Sequence, residues 1–509
     1  MAINLKANII ANFIGNIWIG LLSFAAVPFY LKNVGLDGYG IIGFYATVQI
    51  FAFLFDFGLS ATINREMARL HSTSATETVN LRNLARTIEA VYWLLAFFIA
   101  FAICGLSSFI SSTWLASTTI STIEIRTLVC LMGICIFLRC PFLLYSSGLI
   151  GLQKQVLQNV VNVSVETVRT VGGVLLLVSG HGLILFFSWH AMTSLVGVIV
   201  AARLFWREAA VDPRPPVFDI HLLRKIAHFA GGMSGIGILA TILVQTDKVI
   251  LSKMLSLGDF GQYVAAGTMS SGLYLISRPI FSAYYPAFTR LVEANDKGGE
   301  DLRFRQGTQL MSSLIVPVTA ALIVFSWEIM NTWTGNRAVA DNTHRVLAVL
   351  ALGTAFNAIN NIPYALQLSH AWTSLTLKIN FVAVIIFIPL TIALFWFFGM
   401  MGCALAWVLL NAGCTVVALP IMRKRDMIRD GCWPFFRDAL VIPSAISAFF
   451  LILSANAYHL FGNGSVVVLA LLMGSGVMLG ICGSMFALSE TRKTALVFLA
   501  TAKRRFKCA

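Results

Sequence analysis

Hydrophobic positions along this chain neither alternate nor mark one face of short helices. They come in unbroken runs divided by brief polar segments, and a run of about 20 apolar residues is what a helix needs to cross a hydrocarbon core of about 30 Å. By that measure fourteen spans begin near Asn8, Tyr39, Glu89, Thr127, Gln158 and Gly182, then near Ile226, Gly261, Thr308, His344, Thr376 and Gly402, and finally near Asp438 and Ser465. A transmembrane β-barrel is excluded, because its strands alternate and look only weakly hydrophobic. The pattern predicts an all-α polytopic membrane protein.

Composition agrees with the pattern. Of 509 residues, 58% are hydrophobic and 11% charged, against about 25% charged in soluble domains. The mean hydropathy is +0.83. The first run is too long and too weakly basic in front for a cleavable signal and is expected to stay as the first span. Nine cysteines form no Cys-x-x-Cys pair and, with the eight histidines, no metal-ligand spacing. No nucleotide-binding loop is present and no soluble segment is large enough to hold one, so no cofactor is expected.

The net charge of +14 reads differently once the spans are placed. With the N-terminus inside, 27 of the 36 lysines and arginines fall in inner segments and 6 in outer ones. That bias predicts both termini in the cytoplasm and removes the need for a nucleic-acid partner; attraction to anionic membrane lipids is secondary. Outer loops are short, the longest running from Glu328 to Thr343. Inner loops are longer, notably Ile63 to Ile88 and the Pro-rich Arg203 to Lys225, whose prolines break helices. Three regions follow: a six-helix bundle over 1–212, a second over 213–425, and two further helices with a basic tail over 426–509.

An internal repeat supports the division. Leu36-Asp37-Gly38-Tyr39-Gly40 matches Leu257-Gly258-Asp259-Phe260-Gly261 at an offset of 221, which also pairs Arg69-Leu70 with Arg290-Leu291. Six spans per half is even, so the bundles are expected to be related by a pseudo-two-fold axis along the membrane normal, as in transporters that rock around a central site.

Charges inside the runs are the candidate chemistry, because each costs at least about 2.5–3.5 kcal/mol in the membrane. Arg139, Arg169 and Arg278 are the basic ones; Asp56, Glu166 and Asp247 are the acids. Glu166 and Arg169 are three apart on a helix, so mutual neutralisation and a substrate role for Arg169 both stand. Polar stripes at helical spacing cross the first span (Asn8, Asn12, Gly15, Asn16, Ser23), the fifth (Asn159, Asn162, Glu166, Arg169, Gly173), the eighth (Thr268, Ser271, Arg278, Ser282, Tyr285) and the tenth (Gly353, Asn357, Asn360, Asn361, Tyr364). Any one stripe can be helix–helix glue; four together, with arginines that lack an evident partner, suggest a hydrated cavity, with Arg278 the leading anion ligand. Lys248 is expected to turn away from Asp247 toward the interface.

The stretches Pro28-Phe29-Tyr30-Leu31, Val34-Gly35-Leu36-Asp37-Gly38-Tyr39-Gly40, Asp56-Phe57-Gly58-Leu59 and Arg65-Glu66 resemble the N-terminal region of bacterial polysaccharide-repeat-unit flippases of the O-antigen, Wzx-like type, within the multidrug/oligosaccharidyl-lipid/polysaccharide exporter superfamily. Asp247-Lys248-Val249-Ile250-Leu251-Ser252 with Gly261-Gln262-Tyr263-Val264-Ala265-Ala266 resembles the start of that family's second half. The resemblance implies a non-enzymatic flippase in the bacterial inner membrane. Its cargo would be an undecaprenyl-diphosphate-linked oligosaccharide, moved from the cytoplasmic to the periplasmic leaflet by alternating access. Arg139, Arg169, Arg278, Asn360 and Asn361 would meet the headgroup, and Asp56, Glu166 or Asp247 would couple transport to a gradient. A polysaccharide polymerase and a chain-length regulator are candidate partners. The rivals are a gradient-driven multidrug/cation antiporter of the same superfamily, which would want an acidic cavity, and a polysaccharide polymerase or ligase, which would want a large outer loop.

Overall fold

The computed structural model describes residues 5–70, 75–210, 213–429, 431–462, 464–494 and 496; the basic tail foreseen at the C-terminus lies almost wholly outside them. The described chain is helical: α1 (Leu5–Phe53), α2 (Leu59–Ala68), α3 (Ala75–Phe109), α4 (Thr122–Gly151), α5 (Gln155–Val178), α6 (Leu183–Glu208), α7 (Ile220–Met254), α8 (Leu257–Ser271), α9 (Tyr274–Glu293), α10 (Lys297–Val324), α11 (Ser326–Thr334), α12 (Arg337–Ser369), α13 (Thr373–Phe398), α14 (Met400–Lys424), α15 (Cys432–Phe436), α16 (Ile442–Phe461) and α17 (Val466–Ala487). Among the described residues twelve segments are long and apolar enough to span a bilayer.

Two features reconcile twelve with fourteen. The first segment, Asn12–Asp56, has 45 residues, about 68 Å of helix and more than twice the hydrocarbon thickness. Gly35 breaks it, with φ 69° and ψ −172°, a backbone region open to glycine and costly for other residues. The segment is therefore two spans. The other feature is the α8–α9 pair, broken at Gly272 and Leu273; α8 has only 15 residues and the 20 of α9 include Arg278 and Arg290, so neither counts as an apolar span, and the run foreseen from Gly261 is divided between them.

The chain packs as two compact units, the first ending at Val264 and the second beginning at Ala265. In the first, α2, α3, α4 and α6 surround a core of Ile63, Met67, Ile88, Tyr145 and Phe205. Glu89 lies buried within it, accepting from Tyr145 Oη at 2.5 Å, Arg86 Nη1 at 2.6 Å and Trp206 Nε1 at 3.3 Å, which offsets the cost of burying a carboxylate. The Pro-rich segment ahead of α7 is held on α3: Arg82 donates to the Arg214 carbonyl at 2.9 Å, Val217 N to Asn83 at 2.8 Å and Asp219 N to Thr87 at 2.8 Å.

The two copies of the internal repeat also meet in this unit. A Cβ added to Gly40 would overlap the Leu257 carbonyl, and one added to Gly261 would overlap the Leu36 carbonyl and crowd Gly40. Residues 40 and 36 correspond to 261 and 257, so the contact is reciprocal, as a local two-fold requires. Asp37 then anchors the loop before α4, accepting from Ser117 Oγ at 2.5 Å and Thr119 Oγ1 at 2.8 Å.

In the second unit α10, α12 and α14 enclose Met311, Ile315, Ile359, Ile362 and Met422. The last two long helices are built into this unit. Gln309 of α10 donates to Asp438 at 2.8 Å and accepts from the Glu490 amide at 2.8 Å, and Gly480 of α17 lies against Pro317.

Candidate functional site

In the first unit, residues from three helices converge inside the membrane. Arg139 of α4 donates to Glu166 Oε1 of α5 at 2.7 Å. One turn on, Arg169 reaches both oxygens of the same carboxylate at 3.0 and 3.1 Å and donates to Ser194 Oγ of α6 at 3.1 Å. The i,i+3 spacing of Glu166 and Arg169 made that pair legible; the third partner, 27 residues away, was not. Arg139 is therefore paired, contrary to the expectation of an arginine without a partner. Two guanidinium groups and one carboxylate leave the cluster one charge positive. Beside it is a space of about 10 Å³ lined by Arg139, Phe142, Glu166, Arg169 and Ser194, room for about one water.

The three residues differ in access. The Arg169 side chain is 7% exposed, Glu166 16% and Arg139 25%. Arg169 is thus enclosed as a strut, while the Arg139 side chain is half-buried. His190 lies nearby, half-buried against Phe186 at 4.2 Å between ring centroids.

In the second unit Arg278 is exposed and forms no ion pair with a described residue; its guanidinium carbon lies 5.6 Å from the Tyr274 ring centroid. Arg278 stands in the second turn after the α8–α9 break, and Pro279 cannot donate into the helix. Broken helices at membrane depth are tolerated where the backbone is buried in protein or lines a watery cavity. One turn further along, Phe281 stacks on Tyr285 (6.0 Å, 6° between planes) and on Tyr364 of α12 (6.0 Å, 17°). Three near-parallel rings thus follow Arg278; Asn361 stands one turn before Tyr364 on α12. Phe281 was missed in the sequence because a single apolar residue in an apolar run carries no signal.

Asn360 has a different setting. It donates to the Asn411 carbonyl at 3.1 Å and accepts from Thr415 at 2.7 Å, while Asn357 donates to Asn411 at 2.7 Å. This polar ladder joins α12 to α14. The stripes of the first and fifth spans also serve each other: Asn12 donates to Gln155 at 2.9 Å and accepts from Asn159.

The remaining acids are occupied. Asp56 follows the first long helix and takes Ser60 N at 3.0 Å and Ser60 Oγ at 2.7 Å; it closes the turn through Phe57 and Gly58, both at positive φ. Asp247 is buried and accepts from Tyr263 Oη at 2.6 Å. Lys248 Nζ lies 3.4 Å from Asp247 rather than turned away from it, because the flexible lysine stem folds back along its own helix.

Comparison with known proteins bears on the chain as a whole. Residues 5–292 match the family described as "Polysaccharide biosynthesis protein", more than half of the chain. The chain belongs to that family. Residues 182–472 match a second, overlapping family, "Lipid II flippase MurJ". A Shigella flexneri protein named "Putative O-antigen transporter" is 22% identical over 397 residues, covering 76% of this chain and 90% of its own length. The fold is shared with the lipid II flippase MurJ in an inward closed conformation (TM-score 0.70, 14% identity, 94% of this chain and 98% of that one). It is shared also with an inward-facing multidrug resistance MATE transporter (0.62, 12%, 81% and 94%). This member of the polysaccharide biosynthesis protein family is thus a multi-pass membrane protein of the flippase type, with the buried charges of its spans now placed.

Proposed function

We propose that the protein moves an undecaprenyl-diphosphate-linked oligosaccharide from the cytoplasmic to the periplasmic leaflet of a bacterial inner membrane, by alternating access and with both termini in the cytoplasm. The observation that carries this reading is Arg278: an exposed guanidinium in a membrane-spanning segment, with no acid paired to it among the described residues and an aromatic array one turn away. An uncompensated cation at membrane depth is costly unless an anion visits it, and a guanidinium binds phosphate through paired N–H donors. The Tyr285, Phe281 and Tyr364 rings supply flat apolar faces and two phenol hydroxyls for sugar rings, and Asn361 can hydrogen-bond hydroxyls. The family supports the cargo class, and the positive balance around Arg139 disfavours the cationic substrates of a drug antiporter. A polymerase and a chain-length regulator remain natural partners for such a flippase.

The buried triad suggests how a gradient could act. Protonating Glu166 would release Arg139, its more open partner, toward an anionic headgroup. Asp56 is tied to Ser60 and Asp247 to Tyr263 and Lys248, and neither holds an arginine among the described residues, so we assign coupling to Glu166.

The test is transport of a labelled lipid-linked oligosaccharide in proteoliposomes. Arg278→Ala should lower the rate at least 100-fold, and Arg278→Lys should recover part of it because charge survives while the fork is lost. An imposed proton gradient should speed wild type but not Glu166→Gln. Full activity of Arg278→Ala overturns the headgroup assignment; equal acceleration of wild type and Glu166→Gln overturns the coupling assignment.

A further inference from the structure

In the second unit, α13 and α14 are joined by a short turn at Gly399 and run antiparallel, leaving an apolar trough along their seam. It encloses about 410 Å³, within the 300–1,000 Å³ typical of small-molecule sites. On α13 the walls run from Leu375 to Leu390 and on α14 from Leu409 to Ile421, about 22 Å and 18 Å of helix. That is close to the depth of one leaflet, whose hydrocarbon is about 15 Å thick.

One end of the trough is basic. Lys378 lines it, is exposed, and forms no ion pair with a described residue. Ile421 closes the same end on α14 and is followed by Arg423, Lys424 and Arg425, all exposed. Arg425 is held there, its guanidinium carbon 4.1 Å above the ring of Trp372, the residue just before α13, which lies about 9 Å along the helix axis from Lys378. An apolar channel one leaflet deep, with cations only at its mouth, has the layout of a phospholipid: acyl chain inside, phosphate at the interface.

We propose that this trough binds one anionic phospholipid of the surrounding membrane, its phosphate held by Lys378 and Arg425 and one acyl chain laid between α13 and α14. The site uses none of the residues assigned to the cargo. It attaches the α13–α14 pair to the leaflet that carries the anionic lipid.

Gly413 provides a clean test. It lines the trough, and a Cβ built there meets nothing within 4 Å. Gly413→Phe should therefore fill the channel without disturbing the core, and it removes a poor helix former. Lipid retention by the full-length protein in detergent would be measured by native mass spectrometry, with phosphatidylglycerol and phosphatidylcholine titrated separately. Wild type should hold the first phosphatidylglycerol about fivefold more tightly than phosphatidylcholine for each interfacial cation engaged. Lys378→Gln should reduce that preference about fivefold, and Gly413→Phe should abolish the first, tight binding event while leaving the melting temperature unchanged. Equal retention of the two lipids by wild type, or unaltered phosphatidylglycerol binding by Gly413→Phe, overturns the proposal. So does a Gly413→Phe protein that keeps phosphatidylglycerol but loses lipid-linked oligosaccharide, since the trough would then belong to the cargo's tail. Should Gly413→Phe fail to fold, the surface change Lys378→Gln decides the matter alone.

Discussion

Three arginines of the same type in the same kind of apolar run turn out to have three different settings. Arg169 is enclosed and divides its donors between Glu166 and Ser194; Arg139 shares Glu166 but is less enclosed; Arg278 is exposed beside the Tyr274 ring. Removing one member of a buried ion pair leaves the other charge uncompensated, at a cost of about 3–5 kcal/mol. Arg169→Ala is accordingly expected to lower folding stability by about 3 kcal/mol, read as a clear fall in the thermal midpoint in detergent. Arg139→Ala, at a less enclosed position, should cost less, about 1 kcal/mol, with a marked fall in transport. Equal stability losses in the two variants would show that Arg139 is also a strut. The sequence could rank these arginines only by depth and by acids nearby on the same helix, which set Arg169 beside Glu166 and left both Arg139 and Arg278 without a partner on their own helices. It could not find the Arg139–Glu166 pair, because a contact between helices 27 residues apart in sequence depends on how α4 and α5 rotate against each other.

At the scale of elements, glycine decides where helices break and where they touch. Gly35 divides a 49-residue helix into two spans, and Gly40 and Gly261 let the repeated segments approach backbone to backbone. A side chain at either of the latter must push a carbonyl aside, and such overpacking typically costs about 1–3 kcal/mol. Gly40→Val and Gly261→Val should both destabilise by that amount in chemical denaturation, and the two losses should be similar because the contact is reciprocal. A loss confined to one of them would mean that the two sides of the contact are not equivalent. The repeat was visible as a matched pair of five-residue segments at one offset, yet its meaning was hidden: similarity between segments 221 residues apart does not say that they touch. Polar stripes show the opposite outcome. Their spacing correctly marked helix faces, but Asn12, Asn159, Asn357 and Asn360 are bonded to neighbouring helices, and a stripe facing a neighbour looks the same in sequence as a stripe facing water.

For the whole molecule, the charge bias across loops makes a further prediction. Reporter fusions after Leu70, Arg214, Arg425 and Lys507 should all report cytoplasm, because those segments carry most of the lysines and arginines; periplasmic alkaline phosphatase activity at any two of them would refute the orientation. The all-α polytopic class was legible in the sequence alone for a direct reason. A backbone in hydrocarbon must satisfy its own hydrogen bonds, so a run of about 20 apolar residues has almost no alternative to a spanning helix. The fourteen runs therefore reappear, two of them fused through Gly35 and one divided between α8 and α9. The pairing of charges between helices, the ring array on α9 and α12 and the lipid-sized trough were left to tertiary structure. Each depends on the rotation and approach of neighbouring helices, and in lipid that is set by close packing and a few interhelical hydrogen bonds spread over residues distant in the chain.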